Sequence, residues 1–177
     1  MRPMSLELAE AADVPLIMEM VAACIARMRA ADIDQWDDVY PTADAFQDDA
    51  RRGNLFVMRE ADGGAIIGCA TLDERQSPEY AEVRWTWTDG PIGVVHRLMV
   101  APAHGGRGVG RSIMAGLERE ATRRGYRAIR LDAFIANPNA LRLYAGLGYR
   151  QAGTVQFRKG AFACFELQLG GVAGERR

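Results

Sequence analysis

Apolar residues at Ile17, Met20, Val21, Cys24, Ile25 and Met28 recur every three or four positions, the spacing that lays one apolar stripe along a helix. Pro15 suits the first turn of that helix and Asp13 is placed to cap it; the end is expected between Arg29 and Ala31. Ahead of it, Ser5 to Ala9 alternates like a short strand. Ile33 to Pro41 differs in character, with Trp36 and Tyr40 set among acids, and Thr42 to Arg52 reads as a second helix stopped by Gly53. Two strands follow, Leu55 to Arg59 and Ala65 to Leu72, around Asp62-Gly63-Gly64, a sequence that favours a hairpin turn. Asp73 to Asp89 is polar and reads as a long loop or a ragged strand, in which Trp85 and Trp87 would share one face.

Pro91 then opens an apolar strand, Ile92 to Val100. After a glycine-rich turn, Val109, Ile113, Met114, Leu117 and Ala121 form one helix stripe, which Gly125 stops. Ala128 to Phe134 is a strand, Pro138 to Ala145 a short helix, and Tyr149 to Phe157 with Phe162 to Leu169 a closing hairpin. Strands dominate, helices stand between them in both halves, and no repeat or low-complexity linker interrupts. The pattern predicts one mixed α/β domain over residues 1–177, its core over 4–169 and 170–177 a frayed tail. The strand–loop–helix–strand unit from Ile92 to Phe134 predicts a right-handed crossover between two parallel strands.

Composition narrows the classes. A net charge of -1 gives no sign of a broad nucleic-acid-binding or membrane-binding surface, so neither partner is expected. Cys24, Cys69 and Cys164 are odd in number, far apart and not in CxxC spacing. That argues against a disulfide framework or a zinc site and for a reducing compartment. Residues 1–16 lack the continuous apolar run of a signal peptide, and no stretch approaches the ~20 apolar residues of a membrane span. A cytoplasmic protein without a metal is the expectation.

The turn Gly105-Gly106-Arg107-Gly108-Val109-Gly110 follows a strand and opens a helix. Glycines let a backbone turn tightly and approach a ligand without Cβ clashes. The freed amides and the helix start then favour an anion such as a phosphate or pyrophosphate, with Arg107 and Arg111 placed to add charge. The dinucleotide fingerprint G-x-G-x-x-G fails because Arg111 stands where its last glycine would. Gly105 to Ser112 reads G-x-x-x-x-G-R-S, one residue from a P-loop, with arginine in place of the lysine. A P-loop-like nucleotide binder is therefore one alternative.

A third reading covers the whole second half. His96-Arg97-Leu98-Met99-Val100-Ala101-Pro102 and the glycine turn resemble the CoA-binding motif of the GNAT superfamily of N-acetyltransferases, strand, Q/R-x-x-G-x-G/A, helix. Asn137-x-x-Ala140-x-x-x-Tyr144-x-x-x-Gly148-Tyr149 looks like that family's second signature. One position departs: the first residue of the CoA motif, glutamine or arginine in the family, is Gly105. The resemblance implies a central mixed, largely antiparallel sheet with helices on both faces and a splayed parallel strand pair, with the pantetheine of acetyl-CoA in the opening. It implies that backbone groups of Leu98, Met99 and Val100 pair with the pantetheine amides, that Gly105 to Gly110 and Arg111 hold the pyrophosphate, and that Asn137 contacts the cofactor. A catalytically silent acyl-CoA-binding module would share these features. Dimers are common among similar proteins, which leaves a homodimer open.

Acetyl transfer needs a neutral amine, yet a lysine-type amine titrating near ~10.4 is neutral in only about one molecule in two thousand at pH 7. The enzyme must take a proton from it and polarise the thioester carbonyl, a task for a backbone N–H such as that of Leu98. Tyr144 matches the family tyrosine near the sulfur and can donate a proton to the departing thiolate. His96, two residues before Leu98, has the intrinsic pKa of a base; Glu82, Glu74 and Asp73 are the acidic alternatives, and a water chain is another. Trp36, Tyr40, Trp85 and Trp87 lie where the family builds its acceptor entrance, for a small-molecule or peptide amine.

Overall fold

A computed structural model describes residues 4–61 and 63–170. The tail expected over 170–177 therefore lies outside the described residues apart from Gly170, as does Asp62 of the expected hairpin turn. Among the described residues seven strands form one sheet in the order β1-β2-β3-β4-β5-β7-β6. They are β1 (Leu6–Leu8), β2 (Leu55–Arg59), β3 (Ile66–Asp73), β4 (Ile92–Val100), β5 (Ala128–Phe134), β6 (Arg150–Phe157) and β7 (Gly160–Gln168). Four helices accompany them: α1 (Val14–Arg29), α2 (Ala43–Arg51), α3 (Val109–Arg123) and α4 (Pro138–Gly146). β4 and β5 run parallel, with Ile92 to Val94 opposite Ala128 to Arg130, whereas β1–β2, β2–β3, β5–β7 and β7–β6 are antiparallel. The parallel pair is the one the crossover unit predicts. Among the described residues no helix is long and apolar enough to cross a membrane.

The chain divides into two compact units, one of residues up to Leu72 with His96–Gly116, the other of Asp73–Val95 with the residues from Leu117 onward. In the first, the α1 stripe is buried as its spacing requires, with Ile17 at 0% exposure and Val21 at 3%. Each such aliphatic side chain contributes about 1.5–3 kcal/mol by leaving water. Asp13 does not cap α1: its carboxylate accepts the Glu10 N–H at 2.9 Å and pairs with Arg59 at 2.7 Å. A short 3-10 turn over Ala11–Asp13 precedes the helix and takes that carboxylate for itself. α2 is capped by Thr42, whose Oγ1 accepts the Ala45 N–H at 3.3 Å, and Gly53 ends it as expected, at φ +69°. β3 is buried along its whole length.

In the second unit, Ile129 and Leu131 of β5 are buried on one face, while Arg130 and Asp132 occupy the other, opposite Glu166 and Cys164 of β7. Asp73 ends β3, and the segment after it is a long irregular connection to Gly90 that contains a 3-10 turn over Pro78–Glu82, the loop and not the ragged strand of the two forms expected. Tyr80 and Val83 of that segment pack with Val94, Val155 and Cys164. Asn137 caps α4, its Oδ1 accepting the Ala140 N–H at 3.3 Å, with Pro138 in the first turn.

Candidate active site

In the first unit β4 runs into a 3-10 turn, Pro102–His104, and then into the glycine turn. The Ala101 N–H bonds the Ile67 carbonyl of β3 at 2.9 Å, which fixes where the turn begins. Gly106 and Gly108 have φ of +73° and +80°, the left-handed region that side chains other than glycine rarely enter. A Cβ built on either would meet nothing within 4 Å. The loop thus exposes bare backbone to open space at these two positions. The Gly108 carbonyl accepts the Ser112 N–H at 3.0 Å, which starts α3. The first N–H groups of that helix have no partner within it and carry the positive end of its dipole. Val109 is buried, Gly110 half-buried and the Arg107 and Arg111 side chains exposed beside the turn. Gly105 differs from its neighbours: at φ -60° and ψ 145° it adopts a conformation open to any residue. Nothing in the backbone requires glycine there, so its loss of a side chain is a chemical departure and not a geometric one.

After the buried run Ile92–Val95, His96, Arg97 and Leu98 are partly exposed in succession, Arg97 least by its side chain, and Met99 is buried behind them. The Val100 carbonyl accepts the Cys24 thiol at 3.4 Å; burial pushes that thiol up to about 11. Arg97 was not anticipated from the sequence as a site residue. Its φ is +52°, and its guanidinium donates to the buried Asp49 carboxylate, to Thr71 Oγ1 at 3.3 Å and to the Tyr40 hydroxyl at 3.0 Å. Thr71 Oγ1 in turn donates to Asp49 at 2.8 Å. The Tyr40 and Phe46 rings lie 5.9 and 5.6 Å from the guanidinium carbon. Burial works against this charge, but Tyr40 and Asp49 carry the Arg97 pKa above the ordinary arginine value. Tyr40 itself remains 40% exposed, whereas Trp36 is packed into the core beside α1. A charge in the middle of an apolar strand was the available signal, because such a group needs a partner.

In the second unit Tyr144 is buried, its ring 5.9 Å from that of Tyr149 and 5.8 Å from that of Phe165. Burial, and then the Asp132 charge, push its hydroxyl well above the usual phenol range, so it is protonated at neutral pH. Asp132 accepts the Tyr80 hydroxyl at 2.7 Å. Trp85 and Trp87 do not share a strand face, because their segment is not a strand. Its backbone is tied elsewhere: the Thr86 N–H reaches both Glu166 oxygens at 3.0 Å, the Trp87 N–H reaches one at 3.4 Å, and the Trp87 carbonyl accepts Arg130 at 2.9 Å. The Trp85 ring lies 4.4 Å from the Arg130 guanidinium carbon and that of Trp87 5.9 Å from Arg150. Of the acidic candidates, Asp73 is buried and paired with Arg75 at 2.6 Å, while Glu74 and Glu82 are exposed. Among the described residues no three His, Cys, Asp or Glu side chains are grouped as a metal site.

The chain matches the model of the acetyltransferase (GNAT) family over residues 23–149. It is similar in structure to a GNAT-family acetyltransferase from Streptococcus agalactiae, with a TM-score of 0.82, 22% identity, and 95% of this chain and 96% of the other covered. It resembles the Salmonella typhimurium protein yncA, solved with its cofactor acetyl-CoA, with a TM-score of 0.69, 23% identity and 98% of each chain covered. It also resembles the ribosomal-protein-S18-alanine N-acetyltransferase of Escherichia coli, with a TM-score of 0.64, 17% identity, and 98% of this chain and 100% of the other covered. Among curated proteins none matches it by sequence.

Proposed function

Since the chain belongs to the GNAT acetyltransferase family and is thereby an acetyl-CoA-dependent transferase, we propose that it acetylates a primary amine by direct attack in a ternary complex. The observation that carries this reading is the glycine turn, where Gly106 and Gly108 stand left-handed with open space above them at the start of α3. Backbone N–H groups from Gly106 to Gly110 hold the pyrophosphate there, and Arg107 and Arg111 add charge. The backbone of Leu98, Met99 and Val100 takes the pantetheine, and Asn137 contacts it. Acetyl-CoA, when bound, supplies an activated acyl group.

The residues of this chain then divide the proton and charge work. The Leu98 N–H polarises the thioester carbonyl. His96 takes the proton that the acceptor ammonium must lose before its nitrogen can form the new C–N bond. Tyr144, protonated because it is buried, gives its proton to the sulfur as the C–S bond breaks, and the second proton that the nitrogen sheds on becoming an amide restores the phenol. Tyr40, the exposed one of the four aromatic candidates, forms the acceptor entrance; Trp36 is packed in the core, and Trp85 and Trp87 are partly buried. A peptide amine, in line with the ribosomal-protein-S18-alanine N-acetyltransferase of Escherichia coli, and a small-molecule amine both meet these requirements.

The test begins with thermal stability in CoA, acetyl-CoA and Mg-ATP, since a ligand that prefers the native state raises the melting temperature. A shift with the CoA species alone is expected; a shift with Mg-ATP alone would overturn the reading in favour of a P-loop-like binder. An amine screen by thiol release follows. Tyr144→Phe should lower kcat by about 10²-fold with CoA binding intact, and unchanged turnover would remove Tyr144 from the mechanism. No turnover with any amine would leave a silent CoA-binding module.

A further inference from the structure

Arg97 combines two features that each ask for an explanation. It sits in the middle of β4 at φ +52°, a region that side chains other than glycine rarely adopt. Its guanidinium is also nine-tenths buried, against an Asp49 carboxylate with no exposure at all. Glycine would take this backbone conformation without strain, yet the position carries the longest cationic side chain, fastened to three separate elements. Asp49 comes from α2, Thr71 from β3, and Tyr40 from the irregular segment before α2. A left-handed residue inside a strand interrupts the regular ladder and turns the following peptide out of its usual direction. That following peptide carries the N–H of Leu98.

We infer that Arg97 is a positioning residue for acetyl transfer: its ion pair with Asp49 holds the left-handed turn in β4 that aims the Leu98 N–H at the thioester carbonyl. The inference rests on the reading of Leu98 as the thioester's donor. The geometry supports it in three ways. Strained backbone persists only where the surroundings over-determine it, and a charge-assisted, bridged anchor of this kind does so. The strain falls next to His96 and Leu98, the residues given chemical roles, where β4 passes from the buried run Ile92–Val95 to partly exposed residues. The anchor is directional, whereas an apolar side chain at position 97 would fill space without fixing the peptide that follows.

The experiment uses acetyl-CoA carrying carbon-13 at the thioester carbonyl, bound to the wild type and to Arg97→Ala, Arg97→Gly and Asp49→Asn. Infrared difference spectra read the carbonyl stretch, and titrations give Kd for CoA and for acetyl-CoA. In the wild type the stretch should lie below its free-solution value. In Arg97→Ala and Asp49→Asn it should return toward that value, and acetyl-CoA should lose affinity relative to CoA, while the Kd for CoA itself stays within about threefold. Arg97→Gly, which can re-enter the left-handed region freely, should recover at least half of the shift lost in alanine. A wild-type band in both Arg97→Ala and Asp49→Asn overturns the inference, and a glycine variant no better than alanine overturns the turn as its basis. Should Arg97→Ala fail to fold, Asp49→Asn and Arg97→Gly decide alone. If the wild type binds CoA but shows no shifted band, the Leu98 reading fails and this inference with it. If it binds no CoA species, the proposed function itself is at fault.

Discussion

Replacing Gly68 by alanine tests how tightly the glycine turn is seated. Gly68 lies in β3 opposite Met58. A Cβ there would stand 2.6 Å from Ile113 Cδ1, 2.9 Å from the Met99 carbonyl oxygen and 3.5 Å from Val109 Cγ1. Ile113 is the end of a side chain and can rotate, but it is wholly buried, so it must displace something else. The Met99 oxygen is backbone and cannot yield unless β4 moves. Overpacking of this kind costs about 1–3 kcal/mol, and alanine returns about 0.4–1 kcal/mol by restricting the unfolded chain. At mid-range the net loss is about 1.3 kcal/mol, which corresponds to a melting temperature lower by roughly 3–5 °C for a chain of this size. Because Met99 and Val109 bracket the glycine turn, the Kd for CoA should rise as well. Gly116→Ala is the control: its Cβ would press Leu6 of β1, a three-residue strand at the edge of the sheet, and α3 gains a better helix former. Differential scanning fluorimetry and CoA titration of both variants provide the assay. A Gly68→Ala protein melting within a degree of the wild type, or a Gly116→Ala protein equally destabilised, would refute the argument that β3, β4 and α3 are packed without slack at this point.

Other consequences are simpler to read. The native protein should not react with DTNB at pH 8, since burial pushes Cys24 up to about 11 and Cys164 up to about 12 and Cys69 is fully buried; in denaturant all three should titrate. Rapid release of colour from the folded protein would contradict that burial. Glu166→Gln should destabilise by about 1–3 kcal/mol, because an amide NH2 would have to face the Thr86 or Trp87 N–H or Arg150 in place of a carboxylate oxygen. A thermal melt unchanged by that substitution would remove Glu166 as the anchor of residues 83–90. Arg123 and Arg124 hold Glu120 down to about 2, below the ordinary carboxylate value, so its stabilisation is full above that ordinary value and is lost as pH falls through about 2. Glu120→Gln should therefore lower stability at pH 7 by less than about 1 kcal/mol, as for exposed pairs, with the difference from wild type shrinking in melts toward pH 2; a constant difference would refute the pairing.

The regular elements were legible because their signals are local. β2, β4 and β5 have the bounds their apolar runs mark, and Thr42, Gly53 and Asn137 terminate helices by chemistry confined to a few neighbouring residues. The glycine turn was legible for the same reason. What the chain order hides are bonds between distant residues. Nothing near Arg97 points to Asp49, Thr71 or Tyr40, and nothing near Trp85 points to Arg130, yet these pairings decide where irregular backbone lies. Trp85 and Trp87 fit a strand by their i, i+2 spacing, but the backbone between and beside them gives its bonds to Glu166 and Arg130 instead of a ladder. Trp36 stands among acids in the sequence, at a place that resembles the family's acceptor entrance, but its ring is used in the core.

Each unit, taken by itself, repeats one device: a buried carboxylate and guanidinium groups under aromatic rings fasten an irregular segment to a strand. In the first, Asp49 and Arg97 hold Tyr40; in the second, Glu166 with Arg130 and Arg150 holds residues 85 to 87. Stability alone does not explain the choice, since well-packed apolar residues in place of a buried ion pair are often neutral or stabilising. Desolvation is also incomplete in its compensation, as the Nε atoms of both Arg97 and Arg130 are buried without a hydrogen-bond partner. What directional bonds supply, and apolar packing does not, is a fixed position for backbone that has no ladder or helix of its own. Acyl transfer depends on donors already in place before charge develops on the carbonyl. The burial of arginine beside segments without regular structure is therefore intelligible as preorganisation, and its effect should appear in orientation-sensitive measurements on bound acetyl-CoA before it appears in the melting temperature.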